Sequence, residues 1–185
     1  FACQASAEPK EQKAVQGIEN IKPDPQQGLV ARELVKMIEK YNFKQIQIND
    51  SISSVILDNY IKKLDGAKMY FLASDIAEFE KYRFTLDNDL RNGDLGAMFH
   101  IFNVYLKRNL DFVNYSLTQV EKPFSFASNE SYTYNREKMP WVSDQSALNE
   151  LWSKRVKYEL VNLKVTGNEV SKNVETIRKR YENVK

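Results

Sequence analysis

The sequence predicts an all-α fold, an irregular bundle of about six helices with an aromatic-rich loop before the fifth. Three observations predict it. Only 6 glycines and 5 prolines interrupt the 185 residues, which leaves room for long continuous elements. Apolar residues recur three and four positions apart in one segment after another, the period of a helix with one buried face. Alternating strand and helix segments, the pattern of a parallel sheet, do not occur, and no internal repeat is present.

Residues 1–25 read as a signal-peptide remnant and disordered leader, and 26–185 as one helical domain. The leader is polar and carries Pro9, Pro23 and Pro25. A first helix is expected from near Gln26 to about Lys40, with Leu29, Leu34, Ile38 and Tyr41 along one face. Phe43 to Ile48 then alternates weakly, as a short extended connector. Asp50 or Ser51 can cap a second helix to about Leu64, because a short side-chain oxygen accepts from an orphan backbone N–H. Ile52, Ile56, Tyr60 and Leu64 step by four along it, with Val55 and Ile61 widening the apolar stripe. Ser74 can cap a third helix carrying Ile76, Phe79, Arg83 and Leu86 or Leu90. Asn92-Gly93 stops it, since glycine adopts the left-handed C-terminal conformation without a Cβ clash.

Asp94 opens the longest predicted helix, to about Val120. Its stripe is Met98, Phe99, Phe102, Tyr105 or Leu106, Leu110, Val113, Leu117 and Val120. Pro123 ends it, and Phe124, Phe126, Tyr132, Tyr134 and Trp141 follow in a loop of little periodicity. Ser143 or Asp144 caps a fifth helix with Leu148, Trp152, Val156, Leu160 and Leu163 on its buried side. A last basic helix, about Glu169 to Val184, carries Val170, Val174, Ile177 and Tyr181. It reaches the last residue without a closing turn, as expected of a longer polypeptide cut here.

Composition excludes several function classes. Apolar residues make up 42% and aromatics 12%, so the chain can build a core. Twenty-seven basic against 25 acidic residues leave a net charge of +2, too little to attract nucleic acid, which is not an expected partner. The late basic clusters, Lys154, Arg155, Lys157 and Arg178 to Arg180, read as solvated helix faces. No apolar run approaches the ~20 residues of a membrane span. The single cysteine, Cys3, allows no internal disulfide. Ala5-Ser6-Ala7 has the small-x-small form of a signal-peptidase site, so export to the periplasm or cell envelope is expected. Phe1-Ala2-Cys3 offers the alternative of a lipid anchor on Cys3.

No catalytic, cofactor-binding or metal-binding residue is expected. His100 is the only histidine. A helical wheel groups it with Gly96, Asn103 and Lys107 on an outward face, and a Ser-His-Asp system has nothing to build on nearby. One His and one Cys make no zinc site. The acidic run Asp87 to Asp94 resembles a calcium loop, but the glycine falls one place late and the twelfth position is Met98. A helix end followed by a new cap explains it. Glu78 and Glu80, two apart on a helix, point away from each other.

Beyond this the chain resembles a known family. Ile56-Leu57-Asp58-Asn59-Tyr60-Ile61-Lys62-Lys63-Leu64-Asp65, then Tyr70-Phe71-Leu72-Ala73-Ser74-Asp75 and Phe79, resemble the opening of tail-specific (carboxy-terminal processing) proteases. Leu90-Arg91-Asn92-Gly93-Asp94-Leu95, Phe102, Val120-Glu121-Lys122-Pro123-Phe124, Met139-Pro140-Trp141, Leu148-Asn149-Glu150-Leu151-Trp152, Arg155-Val156-Lys157-Tyr158 and Leu163-Lys164-Val165-Thr166-Gly167 follow in family order. The resemblance implies the non-catalytic N-terminal domain of an envelope serine endopeptidase. Such an enzyme holds the C-terminal tail of an unfolded or tagged substrate through a PDZ domain and cleaves with a Ser/Lys pair, both outside this chain. Expected partners are therefore the rest of its own polypeptide, substrate tails, and an envelope adaptor lipoprotein. The expected docking surface is Phe124, Phe126 and Trp141, with the last helix. A free-standing periplasmic binding or adaptor protein of the same fold is the alternative.

Overall fold

A computed structural model describes residues 19–43, 47–123, 125, 129–165 and 170–182. Among them the chain forms seven α-helices and no strand: α1 (Pro25–Tyr41), α2 (Asp50–Asp65), α3 (Ala73–Phe79), α4 (Leu86–Asn92), α5 (Gly96–Val120), α6 (Gln145–Val165) and α7 (Val170–Glu182). A 3-10 turn, Glu80–Tyr82, joins α3 to α4. The all-α prediction holds, with one helix more than expected.

The extra helix comes from a break in the predicted third one. Arg83, placed by periodicity on the buried stripe, instead donates to Ser54 Oγ at 2.7 Å and Asp58 Oδ1 at 3.0 Å on α2, and also grips Glu80. The chain turns there and restarts as α4, whose first N–H, that of Leu86, donates to the buried Ser53 hydroxyl at 3.0 Å. Caps also move by a residue or two. Asn49, not Asp50 or Ser51, caps α2 by accepting from Ile52 N. Asp75, not Ser74, secures the start of α3 by accepting from Leu72 N at 2.9 Å. Asp144 accepts from Ala147 N at the start of α6, as expected. Gly93 takes φ 75° at the end of α4, and Asp94 then accepts from Gly96 N. Thr166, Gly167 and Glu169 lie outside the described residues.

Two hydrophobic clusters make the core. One joins Leu57 and Ile61 of α2 to Phe71, Phe79, Leu86, Ala97 and Ile101. The other joins Phe112, Val113 and Val120 of α5 to Leu148, Leu151, Trp152, Val156 and Leu160 of α6, and to Ile177 and Tyr181 of α7. Leu148, Trp152, Val156 and Leu160 of α6 and Ile177 and Tyr181 of α7 therefore bury as expected, with Leu163 and Val174 partly buried against them. The stripes of α2 and α5 bury only in part: Ile61, Val113 and Val120 are in the core, and Ile56, Tyr60, Leu64, Met98, Tyr105 and Leu117 pack partly buried against it. On α2 the buried residues are Ser53, Leu57, Ile61 and Asp65, of which the expected stripe held only Ile61. On α5 they are Ala97, Ile101, Phe112, Val113, Ser116, Gln119 and Val120.

The turn 66–72 stitches the clusters together. Phe71 enters the first, while Met69 and Leu72 enter the second. The Asp65 carboxylate, 2% exposed, accepts from Met69 N at 2.7 Å, Tyr70 N at 2.8 Å and Phe71 N at 2.9 Å. Burial pushes this carboxyl above its ordinary value, against the pull of those donors and of Arg136. Trp152 Nε1 donates to Met69 O at 2.6 Å from the α6 side. A parallel bridge, Leu72 to Val142, with Ala73 N donating to Val142 O at 2.8 Å, ties the turn to the long loop. Arg108 of α5 holds Asp75 with two bonds of 2.9 Å, Nε to Oδ2 and Nη2 to Oδ1.

Candidate docking surface

α1 begins with Asp24 as N-cap and Pro25 as its first residue, a reciprocal Asp24–Gln27 capping box that fixes the entry angle. It docks along α4 through an unusually close backbone approach. A Cβ built on Gly28 would lie 2.4 Å from Gly93 O, and one on Gly93 would lie 2.6 Å from Gly28 O. Only glycine at both places permits the contact. Further along, Arg91 Nη2 donates to Glu39 Oε1 at 2.9 Å and to Ile48 O at 2.5 Å, and Ile48 N donates to the same Glu39 oxygen. The Arg91 bond pulls the Glu39 carboxyl below its usual range. Val35 is the buried residue of α1.

This docking turns the apolar stripe of α1 outward. Val30, Leu34, Met37, Ile38 and Tyr41 are between 44% and 70% exposed. Their spacing of four, three and four (30, 34, 37, 41) is the seam spacing of packed helix pairs, with Ile38 widening it. Leu34, Met37, Ile38 and Tyr41 line a shallow hollow with Asn42. The expectation that Leu29, Leu34, Ile38 and Tyr41 bury in this domain's own core is thus overturned. The face that meets α4 is the small one, with Gly28 and Val35. Periodicity finds a stripe but not what covers it.

Trp141 is half-buried. Its ring meets Phe71 edge-on at a centroid distance of 6.1 Å, and Lys68 Nζ sits 5.3 Å from it. Lys68, in the left-handed region at φ 52°, also donates to Met139 O at 2.6 Å. The loop is therefore clamped onto the 66–72 turn. Tyr132 and Tyr134 of the same loop pack on Tyr158 of α6. Phe124 and Phe126 lie outside the described residues. On α7, Ile177 and Tyr181 point inward and the basic side chains outward.

Comparison with known families decides what this bundle is. A family model described as the tail specific protease N-terminal domain matches residues 34–185. The chain belongs to the tail-specific protease N-terminal domain family. It is also similar to a tail-specific protease of Haemophilus influenzae, 32% identical over 154 residues, which is 83% of this chain and 22% of that protein. The chain thus spans about a fifth of that relative's length.

In this tail-specific protease N-terminal domain the family match takes in the exposed Leu34, Met37, Ile38 and Tyr41, the Asp65 turn and Trp141, and begins partway along α1. His100 is a third exposed, pairs with Glu78 Oε1 at 3.0 Å and rests edge-on against Phe79 and Tyr82, a surface role. Asp87 and Asp89 belong to α4 and Asp94 to the following cap. Among the described residues no group of three or more His, Cys, Asp or Glu side chains could hold a metal ion, and no helix is long and apolar enough to cross a membrane.

Proposed function

We propose that this domain is the non-catalytic N-terminal part of an envelope carboxy-terminal processing serine endopeptidase, docking on the rest of that enzyme through the outward face of α1 and restricting access to unfolded C-terminal tails. The observation that carries the docking is the exposed seam of Val30, Leu34, Met37, Ile38 and Tyr41 on a well-capped helix. Contiguous apolar surface of this kind marks an interaction site. Phe124, Phe126 and Trp141 remain a second candidate contact on the long loop. On this reading the PDZ domain and Ser/Lys core lie elsewhere in the polypeptide, in the periplasm. Walling off that core by geometry supplies a selectivity against folded proteins that a tail-binding pocket lacks.

The test separates this chain from the remainder of the protease as two co-expressed polypeptides. They should co-purify, and Met37→Glu with Leu34→Glu should abolish association. Both positions are exposed, so the melting temperature of the 185-residue chain should stay nearly unchanged. Association that survives the double substitution would refute docking by α1.

A further inference from the structure

The outward face of α6 carries a second feature, independent of α1. Lys154, Lys157, Tyr158 and Val161 share one side of that helix, away from the buried Trp152 and Val156. A solvated helix side needs only charges, yet this one carries an aromatic ring and a valine. Tyr158 meets two rings of the long loop. Its centroid is 5.0 Å from that of Tyr132 and 6.1 Å from that of Tyr134, with the planes tilted by 35° and 39°. Both loop rings are anchored. The Tyr132 hydroxyl donates to Met69 Sδ at 3.8 Å, and Arg155 Cζ sits 5.9 Å from the Tyr134 centroid. Helix and loop enclose a hollow of ≈ 280 Å³, lined by Glu130, Tyr132, Lys154, Lys157, Tyr158 and Val161 among others.

The charges around the hollow are matched. Lys154 Nζ donates to Glu150 Oε1 at 2.5 Å, Arg155 Nε to Glu159 Oε1 at 2.6 Å, and Lys157 Nζ to Glu130 Oε2 at 3.0 Å. Each cation has its carboxylate, so no net field is left to select a charged ligand. What remains is a wall of tyrosine beside ammonium donors and a carboxylate acceptor. A sugar ring matches both parts. Its C–H face is apolar, and its adjacent hydroxyls each donate and accept.

We propose that this hollow binds a neutral saccharide, its C–H face on Tyr158 and Tyr132 and its hydroxyls toward Lys154, Lys157 and Glu130. Tyr134, 65% exposed, extends the aromatic wall past the hollow, which suits a chain of linked sugars. The site is built by α6 and the loop alone, so it stands or falls apart from the docking of α1.

The experiment is a heteronuclear NMR titration of the 185-residue chain with three tetrasaccharides: β-1,4-linked glucose, β-1,4-linked N-acetylglucosamine, and α-1,4-linked galacturonic acid as the charged control. At least one neutral tetramer should bind with a Kd below about 5 mM, shifting amides of residues 130–134 and 154–161. The better of the two reports whether an acetamido group is required. Tyr158→Ala should weaken binding about tenfold, while Tyr158→Phe, which keeps the ring, should stay within about threefold of wild type. Tyr134→Ala, at an exposed ring, should weaken it about threefold or more, and decides the matter if Tyr158→Ala loses the dispersed spectrum of the fold. Affinity should change less than about twofold between low and high salt. No binding by either neutral tetramer would overturn the proposal, as would shifts gathered elsewhere, undiminished affinity in the alanine variants, or tighter binding of the acidic tetramer.

Discussion

Replacing Asp65 by alanine tests whether one carboxylate holds the two halves of the core together. The side chain ends α2 and accepts from three successive peptide N–H groups that line the turn into α3. In Asp65→Ala those donors lose their partner in a site that excludes water. Each orphaned donor costs about 1–3 kcal/mol. Removing a buried charge returns part of this, because the desolvation that raises the Asp65 pKa is released. The low end of the sum, about 3 kcal/mol, is therefore expected. For a domain of this size it corresponds to a drop of about 6–12 °C in Tm. Asp65→Asn keeps one acceptor oxygen, which can serve two of the three donors, and should cost only about 1–2 kcal/mol. Urea unfolding followed by tryptophan fluorescence is the assay, since Trp152 is fully buried and bonded to Met69 O in the same turn. A loss below about 1 kcal/mol for Asp65→Ala, or equal losses for the two variants, would refute the reasoning.

Gly28→Ala should destabilise the chain by about 1–3 kcal/mol despite alanine's better helix propensity, because the new methyl meets a backbone carbonyl that cannot move aside; hydrogen exchange should show the loss confined to α1 and α4. Burial pushes the Tyr70 phenol up to about 12, with Tyr105 and Asp65 adding to the effect. Its folded value exceeds the unfolded one near 10, so its contribution to stability is full below about pH 10 and is lost between about pH 10 and 12. Urea midpoints should be level to pH 10 and fall above it, and Tyr70→Phe should reduce the fall.

Residue pattern and tertiary structure divide the rest of the account unevenly. For α6 and α7 the pattern was sufficient. Leu148, Trp152, Val156 and Leu160 are the strongest apolar series on their helix, and Val174, Ile177 and Tyr181 form the one apolar face among charged neighbours, so burial centres on them. On α2 it misled, because two of the four covered positions are polar. Ser53 and Asp65 are buried in order to receive N–H groups from Leu86 and from the 66–72 turn. The break at Arg83 has the same origin, since its partners Ser54 and Asp58 are far away in sequence. On α5, Asn103 was legible as outward-facing, but its two hydrogen bonds with the Ile21 backbone join positions far apart in sequence. Phe124 and Phe126 were read as a docking pair with Trp141, and of the three the structure describes only Trp141, which has Phe71 as an internal neighbour.

By itself the sequence determined that the chain is helical, where most helices lie, and which family it resembles, because those follow from local period, caps and ordered short motifs. Only the tertiary structure decided which face of each helix is covered. Two glycines allow α1 to approach α4 on its small side, and that contact between backbones, invisible to any hydrophobic pattern, leaves the apolar side of α1 facing out.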